Sequence, residues 1–233
     1  MVKLSLNLNS FLDDYIKNKR HKDSRHATFS ENEYFASSSG HCLFQNQLHR
    51  ILKREIPIEK TRRFEIGNII HNLLQSLIKE RFLQALIEKE VIFTLKMSDD
   101  EIKIHGWADA VLPELIVEIK SINDINRVSA APLYPNVQQL HIYMYGLKKL
   151  SGNIIYAQAS DLKLREFPIS FNSEVFDKTM TEFKVLHYCE KEGIPAPRTI
   201  GEDCILCLYT NECLNNKLFS EILKEKKNCR RNQ

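Results

Sequence analysis

Apolar positions along the chain change period several times, and the changes divide it into elements. Over residues 4–19, Leu8, Phe11, Leu12, Tyr15 and Ile16 recur at helical spacing and predict a short helix. Residues 20–40 are polar and serine-rich and predict a loop, with a short helix expected after Gly40. Residues 59–88 are expected to be mainly helical, with Ile66, Ile69, Ile70, Leu73, Leu74, Leu77 and Ile78 forming one apolar stripe. Strand character takes over at 89–97, and two further strands are predicted near 102–112 and 115–120 after the polar turn at 98–101. A loop holding Pro132 and Pro135 leads to a helix over about 136–150, strands near 153–159 and 163–170, and a long helix near 173–192. Pro195 and Pro197 break the pattern before a cysteine-rich stretch and a basic C-terminal helix or tail.

This order predicts an α/β fold, with a mixed central sheet flanked by helices over residues 59–192. Residues 1–58 and 193–233 are expected to form a smaller helical unit from both chain ends. At 233 residues, 43% of them hydrophobic, the chain can bury a core without disulfides, and 7 Gly and 7 Pro exclude linker-rich or low-complexity designs. No run of eighteen apolar residues occurs, so no membrane span is expected. The first nine residues hold no continuous apolar segment of the signal-peptide kind, and a cytoplasmic protein is expected. The net charge of +3 conceals a division. Residues 1–65 carry 12 basic and 8 acidic residues (+4), 66–216 carry 15 and 20 (−5), and 217–233 carry 6 and 2 (+4). An acidic centre between basic ends suits a metal–carboxylate site flanked by surfaces for a polyanion.

The centre of that acidic stretch runs from Gly106 through Lys120. Pro113-Glu114 lies between two apolar runs and predicts a hairpin, in which paired residue numbers sum to 227. Asp109 then opposes Glu118, and Trp107 opposes Lys120. Alternation puts Glu118 and Lys120 on one face, with Val117 and Ile119 on the other, toward the core. Carboxylates opposed at ~5 Å between Cβ atoms repel, and a divalent cation between them reverses that cost. Mg²⁺ and Mn²⁺ favour such oxygen ligands. Lys120 would then be a fixed positive charge able to stabilise developing charge or orient an attacking water. The competing reading is an exposed amphipathic hairpin with Glu–Lys surface pairing. His71 lies on the edge of its helix's apolar stripe, where it can line a cleft and offer a neutral imidazole to a metal. Gln139 and Tyr143 are four apart and share a helix face, either to hold a phosphate or base near the metal or as an ordinary polar face beside Val137, Leu140, Met144 and Leu147.

Cys204, Cys207 and Cys213 form a C-x2-C-x5-C cluster, which in a cytosolic chain argues for a metal rather than a disulfide. Cys42 is the candidate fourth ligand, brought in from the other end of the chain. Cys189 is expected in the core and Cys229 on the surface. Zinc and an iron–sulfur cluster both accept four Cys, and spacing does not separate them.

The ordered set Cys42, Gly67-Asn-Ile-Ile-His71, Gly106-Trp-Ala-Asp109, Glu118-Ile-Lys120, Gln139-Leu-His-Ile-Tyr143, then Cys204, Cys207 and Cys213 resembles the RecB-like branch of the PD-(D/E)XK nucleases. More narrowly it resembles the CRISPR-associated RecB-like exonuclease family, over about residues 40–214. The resemblance implies a restriction-endonuclease-like core. His71, Asp109, Glu118 and the Ile119 carbonyl would bind Mg²⁺ or Mn²⁺, Lys120 would be the catalytic lysine, and Gln139 and Tyr143 would match the Q-x3-Y motif that supports DNA and the active site. Cys42, Cys204, Cys207 and Cys213 would hold a structural iron–sulfur cluster, usually 4Fe-4S. The activity implied is DNA cleavage, typically as a 5′-to-3′ single-strand exonuclease, and the implied partners are DNA, preferably single-stranded, and the CRISPR integrase proteins. Many relatives carry Pro-Arg after the first Cys, whereas Leu-Phe-Gln follows Cys42 and the next Arg is Arg50. A stand-alone repair, recombination or viral nuclease of the same type, and a non-catalytic iron–sulfur DNA-binding subunit, are the alternatives.

Overall fold

The computed structural model describes residues 8–22, 30–98, 100–201, 204–205 and 207–215. The elements are α1 (Leu8–Lys22), β1 (Glu33–Phe35), α2 (Leu43–Leu52), α3 (Ile58–Arg81), β2 (Leu86–Lys96), β3 (Glu101–Val111), β4 (Ile116–Ile122), α4 (Tyr134–Gly146), β5 (Ser151–Gln158), β6 (Leu164–Ser170), α5 (Ser173–Glu192) and α6 (Thr210–Leu214). Short 3-10 turns occupy Ala36–Ser38 and Ile125–Val128. The start of the predicted first helix, the basic C-terminal segment and Cys229 lie outside the described residues.

β2 and β3 form a long antiparallel hairpin, in register from Leu86↔Val111 to Lys96↔Glu101. β4 pairs antiparallel with β3 only at Ala110↔Val117 and Val111↔Ile116. That is the register expected of a turn centred on Pro113-Glu114, and the Leu112 amide donates to the Leu115 carbonyl at 2.9 Å to close it. β4 then runs parallel to β5, with α4 in the connection, and β5 is antiparallel to β6. β1 lies parallel to β3, from Glu33↔Lys103 to Phe35↔His105. Because β2 fills one edge of β3, β1 and β4 share the other edge at different heights. The stretch 106–109 lies between them.

Alternation along the strands feeds two cores. On one face Ile70 and Leu74 of α3 pack with Ala110, Val117, Ile119 and Ala157. On the other, Ile102, Ile104, Ala108, Ile116 and Ile154 pack with Leu140 and Met144 of α4 and with Met180, Phe183 and Leu186 of α5. A third, smaller cluster joins the chain ends: Phe44 and Leu48 of α2 pack with Tyr209, Cys42, Cys207 and Cys213. Among the described residues no helix is long and apolar enough to cross a membrane.

Four expectations need correction. The predicted loop 20–40 contains β1, which at three residues is too short to show a period. It is held instead by Tyr34, whose buried hydroxyl donates to Glu190 at 2.9 Å and meets His187 Nδ1 at 3.1 Å. The helix expected to run to 88 stops at Arg81, where Lys79 Nζ donates to the Leu83 and Ala85 carbonyls and closes the turn before β2. Its apolar stripe is wider than the face it buries: Ile70 and Leu74 are buried, while Ile66, Ile69, Leu73 and Leu77 are exposed. The helix expected over 136–150 is α4, which begins two residues earlier, with Pro135 in its first turn, and ends at Gly146.

Candidate active site

The site lies where β3 and β4 part. Pairing stops at Ala110↔Val117, and the next residues on the two strands are Asp109 and Glu118. They are 8% and 2% exposed, so the hairpin is not the exposed amphipathic one that competed with the metal reading. Nor do the two carboxylates face each other as a ladder pair. Asp109 Oδ2 accepts from the Ile119 amide at 2.7 Å, and Asp109 Oδ1 accepts from His71 Nδ1 at 3.0 Å and Gln75 Nε2 at 3.3 Å. Val117 and Ile119 do point into the α3-side core.

Helix α3 brings His71 to this point because its residues four apart form ridges. The Ile70–Leu74–Ile78 ridge packs on the sheet, and the adjacent ridge is Gly67–His71–Gln75. Gly67 lets that ridge settle on β4, since a Cβ there would lie 3.0 Å from Ser121 Oγ. Opposite α3, Glu118 and Lys120 face α4. Lys120 Nζ donates to Glu118 Oε1 at 2.7 Å and to Gln139 Oε1 at 2.8 Å. Gln139 Nε2 in turn donates to the Tyr143 hydroxyl at 2.8 Å. Gln139 and Tyr143 are therefore not an open polar face able to hold a phosphate or base; both are buried, and they fix the lysine.

Electrostatics follow from burial and neighbours. Desolvation pushes the Glu118 carboxyl up to about 7, against the pull of Lys120 and with the further push of Asp109. Burial works against charging His71, but the hydrogen bond and charge of Asp109 outweigh it, so the imidazole titrates above its usual value. Burial likewise opposes charge on Lys120, yet Glu118 and Asp109 raise its pKa and keep it a cation. Burial, then the charge of Glu118, holds Tyr143 well above the ordinary phenol, so it stays a hydroxyl.

Glu118 Oε2 is buried and has no hydrogen-bond partner. An orphaned carboxylate oxygen is costly, and with the second carboxylate and the imidazole beside it, the donor set suits a hard divalent ion such as Mg²⁺ or Mn²⁺. As the side chains stand, no three His, Cys, Asp or Glu among the described residues are grouped closely enough to hold an ion. One oxygen of Glu118 is turned to Lys120 and one of Asp109 to His71.

Three of the four predicted cysteine ligands, Cys42, Cys207 and Cys213, pack in the end-derived cluster, and Cys204 is exposed beside it. Cys42 caps α2 and its Sγ accepts from the Thr199 amide at 3.4 Å, while the Cys204 thiol donates to the Thr199 carbonyl at 3.8 Å. Burial first, then Cys42, Cys207 and Cys204, push the Cys213 thiol up against the pull of Arg198. Four Cys are by chemistry a donor set for zinc or an iron–sulfur cluster, but as the side chains stand no three of these thiols are grouped closely enough to hold an ion. Cys189 is buried in α5, as expected. The sequence pattern does not single out Gln75, although its place four residues after His71 is a usable signal; Gly106 stands in the quoted motif, but its closeness to Tyr143 leaves no sequence trace.

No protein-family model matches the chain, and no curated protein sequence matches it. Solved structures do. The crystal structure of SSO0001 is similar with a TM-score of 0.67 at 20% identity, covering 85% of this chain and 94% of that one. LHK-Exo in complex with dAMP is similar with a TM-score of 0.52 at 11% identity, covering 70% of this chain and 89% of that one. A second structure of LHK-Exo, an alkaline exonuclease from Laribacter hongkongensis, gives 0.50 over the same shares. At such identities the likeness is one of fold: a mixed six-stranded sheet flanked by helices, similar to that of an alkaline exonuclease and of SSO0001.

Proposed function

We propose that the protein is a divalent-metal-dependent DNA nuclease, and more finely a 5′-to-3′ exonuclease on single strands. The observation that carries this reading is the pair of buried carboxylates Asp109 and Glu118 at the β3–β4 fork, with the half-buried Lys120 bonded to Glu118, His71 facing Asp109 and one carboxylate oxygen orphaned. The similarity in fold to LHK-Exo, an alkaline exonuclease seen in complex with dAMP, supports the same chemistry.

His71, Asp109, Glu118 and the Ile119 carbonyl would hold the ion, which when bound supplies charge neutralisation at a scissile phosphate and a lowered pKa for attacking water. Asp109 is pinned from three sides, which fixes the position of its carboxylate. His71 directs Nδ1 at Asp109 Oδ1, so sharing one ion with Asp109 would require the imidazole to turn. Lys120, held as a cation and aimed by Gln139, places positive charge where negative charge develops. Tyr143 orders Gln139 from behind.

The finer biological reading is trimming of new-spacer precursors in CRISPR adaptation beside the integrase proteins, supported by the motif order from Cys42 to Cys213. In it Cys42, Cys204, Cys207 and Cys213 hold an iron–sulfur cluster. Anaerobically purified protein would then be brown, with broad visible absorption, and a colourless protein containing zinc would refute the cluster. The activity is tested with the full chain, Mn²⁺ and single strands labelled at either end. Cleavage should fall about 10²–10³-fold or more in Asp109→Ala and Lys120→Ala, and early release of the 5′ label would fit the polarity. Undiminished cleavage by either variant refutes the site.

A further inference from the structure

We propose that Gln75 is a positioning residue of the candidate metal centre: its buried amide, braced on Glu88, fixes the rotation of the Asp109 carboxylate. This rests on reading His71, Asp109 and Glu118 as a divalent-metal site.

Gln75 lies one helical turn after His71 on α3 and is 5% exposed. A buried amide is costly unless bonded. The bonds it makes are both to carboxylates. Its Nε2 donates to Asp109 Oδ1 at 3.3 Å and to Glu88 Oε1 at 3.5 Å. One amide nitrogen carries two hydrogens, so both bonds can be made together.

Glu88 is placed for this by the backbone. In the β2–β3 register it falls opposite Asp109, between Ile87↔Ala110 and Lys89↔Ala108, yet the two are not a ladder pair. Its φ is +49°, in the left-handed region that a residue inside a strand rarely adopts. The departure from the ladder coincides with the position across from Asp109, and the Glu88 side chain there meets Gln75 rather than only solvent.

The consequence concerns Asp109. The Ile119 amide holds Oδ2, leaving Oδ1 to His71 and Gln75. If His71 turns toward an ion, only Gln75 keeps Oδ1 in place. Gln75 therefore maintains the carboxylate's orientation when the imidazole is engaged elsewhere. Partners behind a ligating group commonly tune metal affinity in this way.

The test compares the full chain with Gln75→Met, which keeps length and loses the donors, and with Glu88→Ala. Mn²⁺ affinity is read by electron paramagnetic resonance of the free ion, without DNA. We expect Gln75→Met to weaken Mn²⁺ binding about 10–100-fold, and Glu88→Ala to weaken it less, in the same direction. On single-stranded DNA kcat should fall while KM stays within about twofold, a split that a packing role would not produce. Folded Gln75→Met with Mn²⁺ affinity within about twofold of wild type overturns the proposal while leaving the metal site standing. If Gln75→Met does not fold, unchanged Mn²⁺ affinity in Glu88→Ala overturns it. Wild-type protein that binds no Mn²⁺ overturns the metal site itself, and this proposal with it.

Discussion

Replacing Gly106 with alanine tests whether the lysine is set by packing from behind. Gly106 lies on β3 in the gap between β1 and β4. A Cβ there would meet Tyr143 Cε1 at 2.8 Å, the Tyr143 hydroxyl at 2.9 Å and the Ala36 Cβ at 3.0 Å. Both neighbours are buried, so neither has room to yield. Tyr143 is also the last member of the chain that runs from Lys120 Nζ through Gln139. The added methyl therefore presses on the group that aims the lysine. Overpacking of this kind costs about 1–3 kcal/mol. Restricting the unfolded chain by losing a glycine returns about 0.4–1 kcal/mol, which leaves a net loss of up to about 2.6 kcal/mol and about 1–2 kcal/mol near the middle of the two ranges. For a chain of this length that is a fall in Tm of about 2–8 °C. Calorimetry gives the Tm, and cleavage of labelled single strands in Mn²⁺ gives kcat, which should fall about tenfold or more as Lys120 is displaced. Adding Ala36→Gly removes one of the two obstructions and should restore part of the Tm. Wild-type Tm together with wild-type kcat in Gly106→Ala would refute the reasoning.

Three further outcomes follow from other contacts. Asp109→Asn should lower stability by about 1–3 kcal/mol as well as abolish cleavage, because an amide hydrogen must then face either the Ile119 amide or the His71 and Gln75 donors; urea unfolding that shows a gain would refute this. Arg50→Ala should cost about 3 kcal/mol in the same assay, since Arg50 pairs with the buried Glu190 at 2.9 Å, donates to the Glu31 and Glu33 carbonyls and covers the Tyr34 ring at 4.3 Å. Asp100 accepts from His187 and Lys191, which hold its carboxyl well below the ordinary value of 3.8. A carboxylate lowered on folding stabilises above its unfolded pKa and loses that contribution as pH falls below it. Asp100→Asn should therefore lower stability at neutral pH and flatten the acid limb below 3.8, and an unchanged limb in pH-dependent unfolding would refute the linkage.

What was legible in the sequence was whatever repeats or pairs locally. The β3–β4 register came from one Pro-Glu turn, and with it the neighbourhood of Asp109, Glu118 and Lys120. α5 has the span its pattern predicted. The edge position of His71 on its stripe was legible too, because helical period relates it to Ile70 and Leu74. Misplaced features depend on partners distant in sequence. The stripe of α3 could not show that only the Ile70–Leu74–Ile78 ridge would find a sheet beneath it. Gln139 and Tyr143 share a helix face in the sequence, which carries no sign that Lys120 and Gly106 lie against them. Asp109 and Glu118 were expected as a ladder pair, but the ladder ends one residue short and the Ile119 amide turns to Asp109 instead.

Strand β1 matters most, because it connects the cysteine-bearing end of the chain with the candidate site. α2 carries Cys42 at its start and Arg50 near its end. Arg50 grips the carbonyls of Glu31 and Glu33 and lies over Tyr34, so β1 is fastened to α2. β1 pairs with β3 up to Phe35↔His105, and the next residue, Ala36, is the one set against Gly106. Gly106 in turn leaves only enough space for Tyr143, which orders Gln139 and through it Lys120. These are tight packing contacts and hydrogen bonds, which transmit displacement because protein interiors have little slack. Loosening the cysteine cluster would loosen α2, and the first part of the sheet to feel it would be β1, at the open edge of β3 beside Asp109. Packing at the cysteine-bearing end of the chain is thus linked mechanically to the lysine, although the two lie far apart in sequence.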